Sequence, residues 1–453
     1  MIKRLLVAGG AAACVLGIVI ARAAPSVYPT GTTIYDPDRT FNGFTVLSPL
    51  GEPEAVVIDM NGNVVKSWEG YQISAGGPIR VLPGGYVIGP VGANPPKQES
   101  LGLVEKDFDG NVVWEFDHNQ QIQTRDGETV WSARQHHDWQ RSDFPAGYYS
   151  PGVSPAPLGA TTLVLTHTTH INPNVAPGRE LDEDRLIEVN ADGEIVWDWV
   201  VGDHIDDFGY SDAARAAIAS PQGPGRGGYD WFHMNSATYV GPNRFFDAGD
   251  ERFAPDNVIV SSRQSSLVAI IARDGSVVWQ IGPDFTERPE LAGIRQIIGQ
   301  HHAHMIPKGL PGAGDIMIFD NGGSSGYGSP SPIALGGQGI YARATSRVVE
   351  IDPVSYELVW SYTAPNFYST NISSAQRLPN GNTLITEGAG GRLFEVTSEG
   401  EIVWEYMHPV FSGARQSNAV YRGYRVPYDW IPQLPVPDQV AVTPPARGDF
   451  RVP

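Results

Sequence analysis

The stretch "AVVIDMNGNVVKSW", residues 55–68, is the one whose reading decides the fold. A run of β-branched residues, an Asn-Gly turn and a second run ending in Trp spell a short antiparallel hairpin, because Gly takes positive φ with no Cβ to clash. The unit returns as "GLVEKDFDGNVVW" (102–114), "LIEVNADGEIVW" (186–197), "VAIIARDGSVVW" (268–279), "VVEIDPVSYELVW" (348–360) and "FEVTSEGEIVW" (394–404). Two copies vary it. Lys66 stands where the others carry Trp, with Trp68 two residues on and therefore on the same strand face. Tyr356 stands where the others carry the turn Gly.

Between these hairpins lies a second unit, two strands joined by a Pro-containing turn, as in "IRVLPGGYVIG" (79–89), "HMIPKGLPGAGDIMIFDNG" (304–322) and "AQRLPNGNTLITEG" (375–388). Two alternating hairpin types repeated six times predict an all-β chain, a six-bladed β-propeller of four-stranded blades. A pair of β-sandwiches or an eight-bladed ring would use similar units, and the count of six favours six blades. The propeller is expected over 55–430, with a short N-terminal extension at 24–54 leading into the first blade and an irregular Pro-rich tail at 431–453. One helical patch is expected near Asp212–Ser220, and residues 322–346 read as a long Gly/Ser loop.

Ahead of the extension, residues 1–23 read as a signal peptide. Lys3 and Arg4 precede the apolar run Leu5–Ile20, and Ala21-Arg22-Ala23 suits signal cleavage. An uncleaved anchor, or a lipoprotein signal ending at Cys14, is the weaker reading. The expectation is an exported protein, in a periplasm, with no stable membrane association after cleavage. Cys14 is the only cysteine, so the expected mature chain has neither disulfides nor thiolate chemistry. A formal charge of −19 argues against nucleic acid as a partner.

The eleven histidines are not spread evenly, since "GQHHAHMIP" (299–307) holds three of them. Counting back six residues from the turn proline of the second unit gives Gly77, His301 and Ser373. The motifs "QHHDWQR" (135–141) and "DWFHMNSATYVGPN" (230–243) sit at the same stage of the repeat. One equivalent position, at the start of the innermost strand, thus carries His137, His233, His301 and Ser373 in four blades, and innermost strands converge on the central channel. His302 and His304 are of opposite parity to His301 and are expected to support neighbouring loops or carbonyls. His118, His204 and His408 read as loop residues, while His167 and His170 are ambiguous. In "NVIVSSRQSS" (257–266), Arg263 ends an apolar strand in the blade of His233, and its planar fork suits a tetrahedral oxyanion.

Together the motifs "HHD", "DWFHMNS", "VIVSSRQS", "GQHHAHMIP", "IFDNGG" and "SSAQRLPNGNTLITEG" resemble those of the bacterial arylsulfate sulfotransferases, along most of the chain. The resemblance implies a six-bladed propeller that moves a sulfuryl group from a small aryl sulfate donor to a phenolic acceptor. It implies transfer without 3′-phosphoadenosine 5′-phosphosulfate (PAPS), by ping-pong kinetics through a sulfohistidine, with no cofactor and no metal. By the same resemblance His301 is the nucleophile, His233 and Asn235 are the "HxN" pair, Arg263 is the arginine of "SSR", and His137, with His136 as the alternative, is the histidine of "HHD". Asn235, Ser373 and His136 are then substrate-binding candidates. Trp139, Trp231, Phe232 and Tyr341 are candidates for stacking the aryl ring. Two other functions compete. One is a metal-dependent hydrolase using His137, His301, His302 and His170 with Asp138 or Asp320; the other is an exported propeller that binds a ligand without catalysis.

Overall fold

The computed structural model describes residues 30–73, 77–95, 97–220, 230–285, 288–323, 325, 342–412 and 417–444. The expected signal peptide, Tyr341 and most of the loop at 322–346 lie outside them. All six Trp-bearing hairpins are the third and fourth strands, counted from the channel, of six separate antiparallel sheets. The register shows why the repeat is visible. Glu105 faces Trp114, Glu188 faces Trp197, Ile270 faces Trp279, Glu350 faces Trp360 and Glu395 faces Trp404, while Val57 faces Lys66. Tyr356 takes the turn glycine's left-handed conformation at φ 57°, with its ring stacked on Trp279.

The recurrent Trp joins one blade to the next. Indole Nε1 of Trp197 donates to the carbonyl of Arg273 (3.2 Å), Trp279 to Pro353 (2.7 Å), Trp360 to Ser398 (2.9 Å) and Trp404 to Met60 (2.8 Å). Trp68, two residues past its slot, still reaches Asp107 of the following blade at 2.9 Å. Each acceptor lies in the next blade's hairpin turn, so each such Trp satisfies a turn carbonyl while filling the seam between sheets.

From the channel outward the blades are as follows. Blade 1 is Val420–Val426, Phe44–Pro49, Glu54–Ile58 and Val64–Glu69. Blade 2 is Arg80–Leu82, Tyr86–Val91, Gly102–Lys106 and Val112–Phe116; blade 3 is Gln135–Arg141, Thr162–Ile171, Glu180–Val189 and Ile195–Val200. Blade 4 is Met234–Tyr239, Val258–Ser262, Leu267–Ile271 and Val277–Ile281, and blade 5 is His301–Met305, Ile316–Asp320, Arg347–Ile351 and Leu358–Tyr362. Blade 6 is Ser374–Arg377, Thr383–Glu387, Arg392–Val396 and Ile402–Met407.

Blade 1 closes the ring by pairing the two ends of the chain, Phe44 opposite Val426. The described part of the stretch expected as an extension is woven into blades. Gly31–Tyr35 adds a fifth strand to blade 6, and Phe44–Pro49 is the second strand of blade 1. Tyr35 and Val442 exchange both backbone bonds (2.8 and 2.9 Å), so the Pro-rich tail is tied down as far as that bridge. The helical patch is a helix at Asp212–Ala219, with the Ser211 hydroxyl accepting from the Ala214 amide at its start.

Candidate active site

Backbone conformation marks the inner-strand ends before any side chain is considered. Gly77, His137, His233, His302 and Ser373 all have positive φ, at 94°, 55°, 52°, 51° and 89°. Left-handed backbone is unfavourable for residues other than Gly and persists where the surroundings enforce it, often at functional sites. In blade 2 only Gly fits, because a Cβ at Gly77 would lie 2.7 Å from the His137 carbonyl. The six-residue count therefore finds this position in blades 2 and 6, but in blade 5 the left-handed residue is His302, one past His301. Bulges explain the offset, since the pairing register slips between Gln135 and Trp139, between Met234 and Ser236, and between His301 and His304.

The bulges turn His137, His233 and His301 toward one another. The His137 and His233 rings meet edge to face, 4.8 Å apart. His233 bonds through Nδ1 to the Asp230 carboxylate at 2.5 Å. His301 donates from Nδ1 to Asn321 Oδ1 at 2.7 Å and to the Gly299 carbonyl at 3.1 Å, and its Nε2 accepts the Ile372 amide at 3.2 Å. Two oxygen acceptors on Nδ1 fix the tautomer, so Nε2 carries the lone pair. Burial first, and the Arg263 guanidinium second, push the His301 ring well below the usual histidine range, against the opposing bond to Asn321. His137 is pushed the same way, by burial and then by His233 and His301. Both rings are neutral at pH 7.

Arg263 begins just beyond the strand Val258–Ser262, and its amide bonds to the His233 carbonyl at 3.1 Å. Among the described residues its guanidinium takes no hydrogen bond or ion pair, although it is half-buried and feels the Asp230 charge. An unengaged guanidinium beside a neutral imidazole is a place for an anion. Asn235 is fully buried; its Nδ2 donates to the Gln300 carbonyl at 2.6 Å and its Oδ1 has no hydrogen bond among the described residues. Across the channel, Arg422 of blade 1 pairs with Asp138 (3.0 Å) and donates to the Asn235 carbonyl (2.8 Å), while the Tyr421 hydroxyl holds the His137 carbonyl (2.8 Å).

The arylsulfotransferase (ASST) family model matches residues 106–425, from the third strand of blade 2 to the closing strand of blade 1. The chain belongs to the arylsulfotransferase family. No curated protein matches it. Among solved structures it is similar to a protein of unknown function from Bacteroides caccae, with 12% identity, 85% of this chain and 99% of that one covered, and a TM-score of 0.45. Virginiamycin B lyase from Staphylococcus aureus matches at 11% identity, 84% of each chain and a TM-score of 0.35. Nothing rests on likenesses this remote, and the architecture stands on the strand pairing above. Membership of that family implies a sulfotransferase that works on small aryl donors and acceptors.

Several expected site residues of this arylsulfotransferase lie elsewhere. The Ser373 hydroxyl bonds to Ser369 Oγ (2.9 Å) and to the Gly388 amide (3.0 Å) within its own blade; what reaches His301 is the backbone amide beside it. His136 lies behind the site, with Nδ1 2.9 Å from Nδ1 of His137 and its ring stacked on His167 at 3.8 Å. Trp139, Trp231 and Phe232 are core residues rather than an aryl platform, their indoles bonded to Pro78 O and Glu183 Oε1. His304 meets its expectation, bonding to the His302 carbonyl (3.0 Å) and to the Tyr148 hydroxyl (2.9 Å), but neither ring nitrogen of buried His302 has a hydrogen bond among the described residues.

The ligands expected for a metal-dependent hydrolase do not assemble. Asp138 is held between Arg80 and Arg422, Asp320 between Arg343 and Arg347, and His170 pairs with Glu183. Among the described residues the group whose donor atoms do converge is His136, His167 and Asp184. The sequence reading missed Asn321, Asp230 and Arg422 as site residues. Asn321 lies in the quoted "IFDNGG", and Asp230 precedes His233 by three residues, but nothing local marks Arg422 in "VYRGYRV".

Proposed function

We propose that this arylsulfotransferase is an exported, periplasmic enzyme that works without PAPS by two successive displacements at His301. In the first, the sulfonate of an aryl sulfate docks on Arg263 and displaces the Ile372 amide from the Nε2 lone pair. Nε2 attacks sulfur, an N–S bond forms, and the aryl S–O bond breaks with its electron pair leaving on the phenolate. The ring, still protonated at Nδ1, becomes a cation whose N–H is held by Asn321, while Arg263 balances the sulfonate oxygens. His233, doubly protonated with its Nδ1–H on the Asp230 carboxylate, gives its Nε2 proton to the departing phenolate, with His137 packed against it. In the second displacement the acceptor phenol returns a proton to His233 and attacks sulfur, and the N–S electrons go back to His301.

The observation that carries this reading is a neutral imidazole with its tautomer fixed, beside an arginine that takes no hydrogen bond or ion pair among the described residues. Rapid mixing with 4-nitrophenyl sulfate tests it. The expected result is a stoichiometric burst of nitrophenolate that turns over only when phenol is added and is absent in His301→Ala. Steady release without a burst that persists in His301→Ala would refute it.

A further inference from the structure

Behind His137, three neighbouring strands of blade 3 bring together a set of groups that sulfuryl transfer does not use. His136 sits on Gln135–Arg141, His167 on Thr162–Ile171 and Asp184 on Glu180–Val189, the last two directly opposite in register. All three side chains are buried. Asp184 Oδ1 lies 3.3 Å from His136 Nε2 and 3.7 Å from His167 Nε2, with all three donor atoms within 4.8 Å of one another. Ligands around a tetrahedral ion with bonds near 2.0–2.1 Å stand about 3.4 Å apart.

Two further observations point to a missing partner. Among the described residues, His136 Nε2 and Asp184 Oδ1 have no hydrogen bond despite complete burial, and neither has Asp230 Oδ1 nearby. The opposite side of each group is meanwhile tied. His167 Nδ1 bonds to Glu99 Oε2 at 3.0 Å, Glu99 is gripped by Arg134, the Met234 amide donates to Asp184 Oδ2 at 2.8 Å, and His136 Nδ1 faces His137. A carboxylate holding the far nitrogen of a histidine is the usual support for a metal ligand, because it turns the lone pair of the near nitrogen toward the ion.

We propose that His136 Nε2, His167 Nε2 and Asp184 Oδ1 bind one divalent transition-metal ion of the zinc class, with its fourth position open to water. Two imidazoles and one carboxylate select such an ion over calcium or magnesium, which prefer all-oxygen shells. The two rings stack at 3.8 Å with 15° between their planes. Binding therefore requires them to turn out of parallel, so that both lone pairs point at the ion. The ion would neutralise the carboxylates and orient His136, and through it His137, without touching the sulfuryl group.

The test is elemental analysis of the full-length protein prepared without chelator, then titration of the chelator-stripped protein with Zn²⁺. One zinc per chain is expected, with binding weakened at least tenfold in Asp184→Asn and in His167→Gln and unchanged in His170→Gln. Folded protein that takes up no zinc at micromolar concentration, or zinc retained equally by all three variants, overturns the proposal. Should the first two variants fail to fold, anomalous diffraction from the zinc-loaded native protein decides. A peak among His136, His167 and Asp184 supports the site, and a peak only elsewhere removes it. Neither readout depends on sulfuryl transfer, so the two readings fail separately.

Discussion

Replacing Asn321 by Ala removes three hydrogen bonds at one fully buried position. Its Oδ1 accepts from His301 Nδ1 at 2.7 Å, and its Nδ2 holds the carbonyls of Ser369 (2.9 Å) and Ile372 (3.0 Å). The variant leaves His301 Nδ1 with the Gly299 carbonyl alone, at 3.1 Å, and frees the segment whose amide caps Nε2. The bond to Nδ1 strengthens when attack makes the ring cationic, and bonds to charged groups contribute about 1.5–3 kcal/mol against about 1 for neutral ones. That difference, with the loss of ring orientation, corresponds to a roughly 10- to 100-fold fall in kcat/KM. The assay is 4-nitrophenyl sulfate turnover with phenol, on protein whose melting shows it folded. Asn321→Asp keeps the acceptor but adds a charge that favours imidazolium. Its activity should therefore recover only as pH rises, since the reaction needs neutral His301. A folded Asn321→Ala enzyme within about twofold of the parent would refute the orienting role.

Other expectations follow from single contacts. Arg263→Ala should lose roughly 100-fold or more in kcat/KM, with Arg263→Lys recovering only part of it, because Lys lacks the planar fork. Stability in chemical denaturation should stay within about 0.5 kcal/mol, since the guanidinium has no described hydrogen bond or ion pair to lose. Burial holds His304 down to about 4 from 6.5, so the unfolded chain binds the extra proton between those values. Its contribution is thus present above pH 6.5 and is lost as pH falls toward 4, at up to about 1.4 kcal/mol per unit; urea melts across that window should flatten in His304→Gln. Trp404→Phe leaves the Met60 carbonyl without its 2.8 Å donor at the seam between blades 6 and 1, and should lower the unfolding free energy by about 1–2 kcal/mol.

The ring was legible because one residue type does one job in five of the six blades. Five outer hairpins send an indole to a turn carbonyl of the next blade, while the buried Trp114 Nε1 of blade 2 takes no hydrogen bond among the described residues, and the turn residue and the indole both leave marks at fixed spacing. Where other groups do that job the pattern blurs, as with Lys66 displacing Trp68 and Tyr356 replacing a turn Gly. The closing strand Val420–Val426 has neither mark, so the strand pairing that completes blade 1 does not show in the repeat. His137 and His233 were legible as repeat-equivalent positions. His302 was misjudged because a bulge inserts a residue that proline counting does not register. The orienting groups are harder still. Asn321 acts from the next strand of blade 5, and Arg422 from blade 1 across the channel. His136, His167 and Asp184 meet only through pairing of three successive strands, so their separation in sequence carries no motif.

The central claim is that sulfur is held on His301 between the two half-reactions. The direct measurement is intact and peptide mass spectrometry after brief exposure to 4-nitrophenyl sulfate without acceptor, with digestion kept at neutral to alkaline pH. One added sulfuryl group is expected, located on the peptide containing His301, absent from His301→Ala and discharged by phenol. An unmodified chain that still transfers sulfate to phenol, or the group located on another residue, would contradict it.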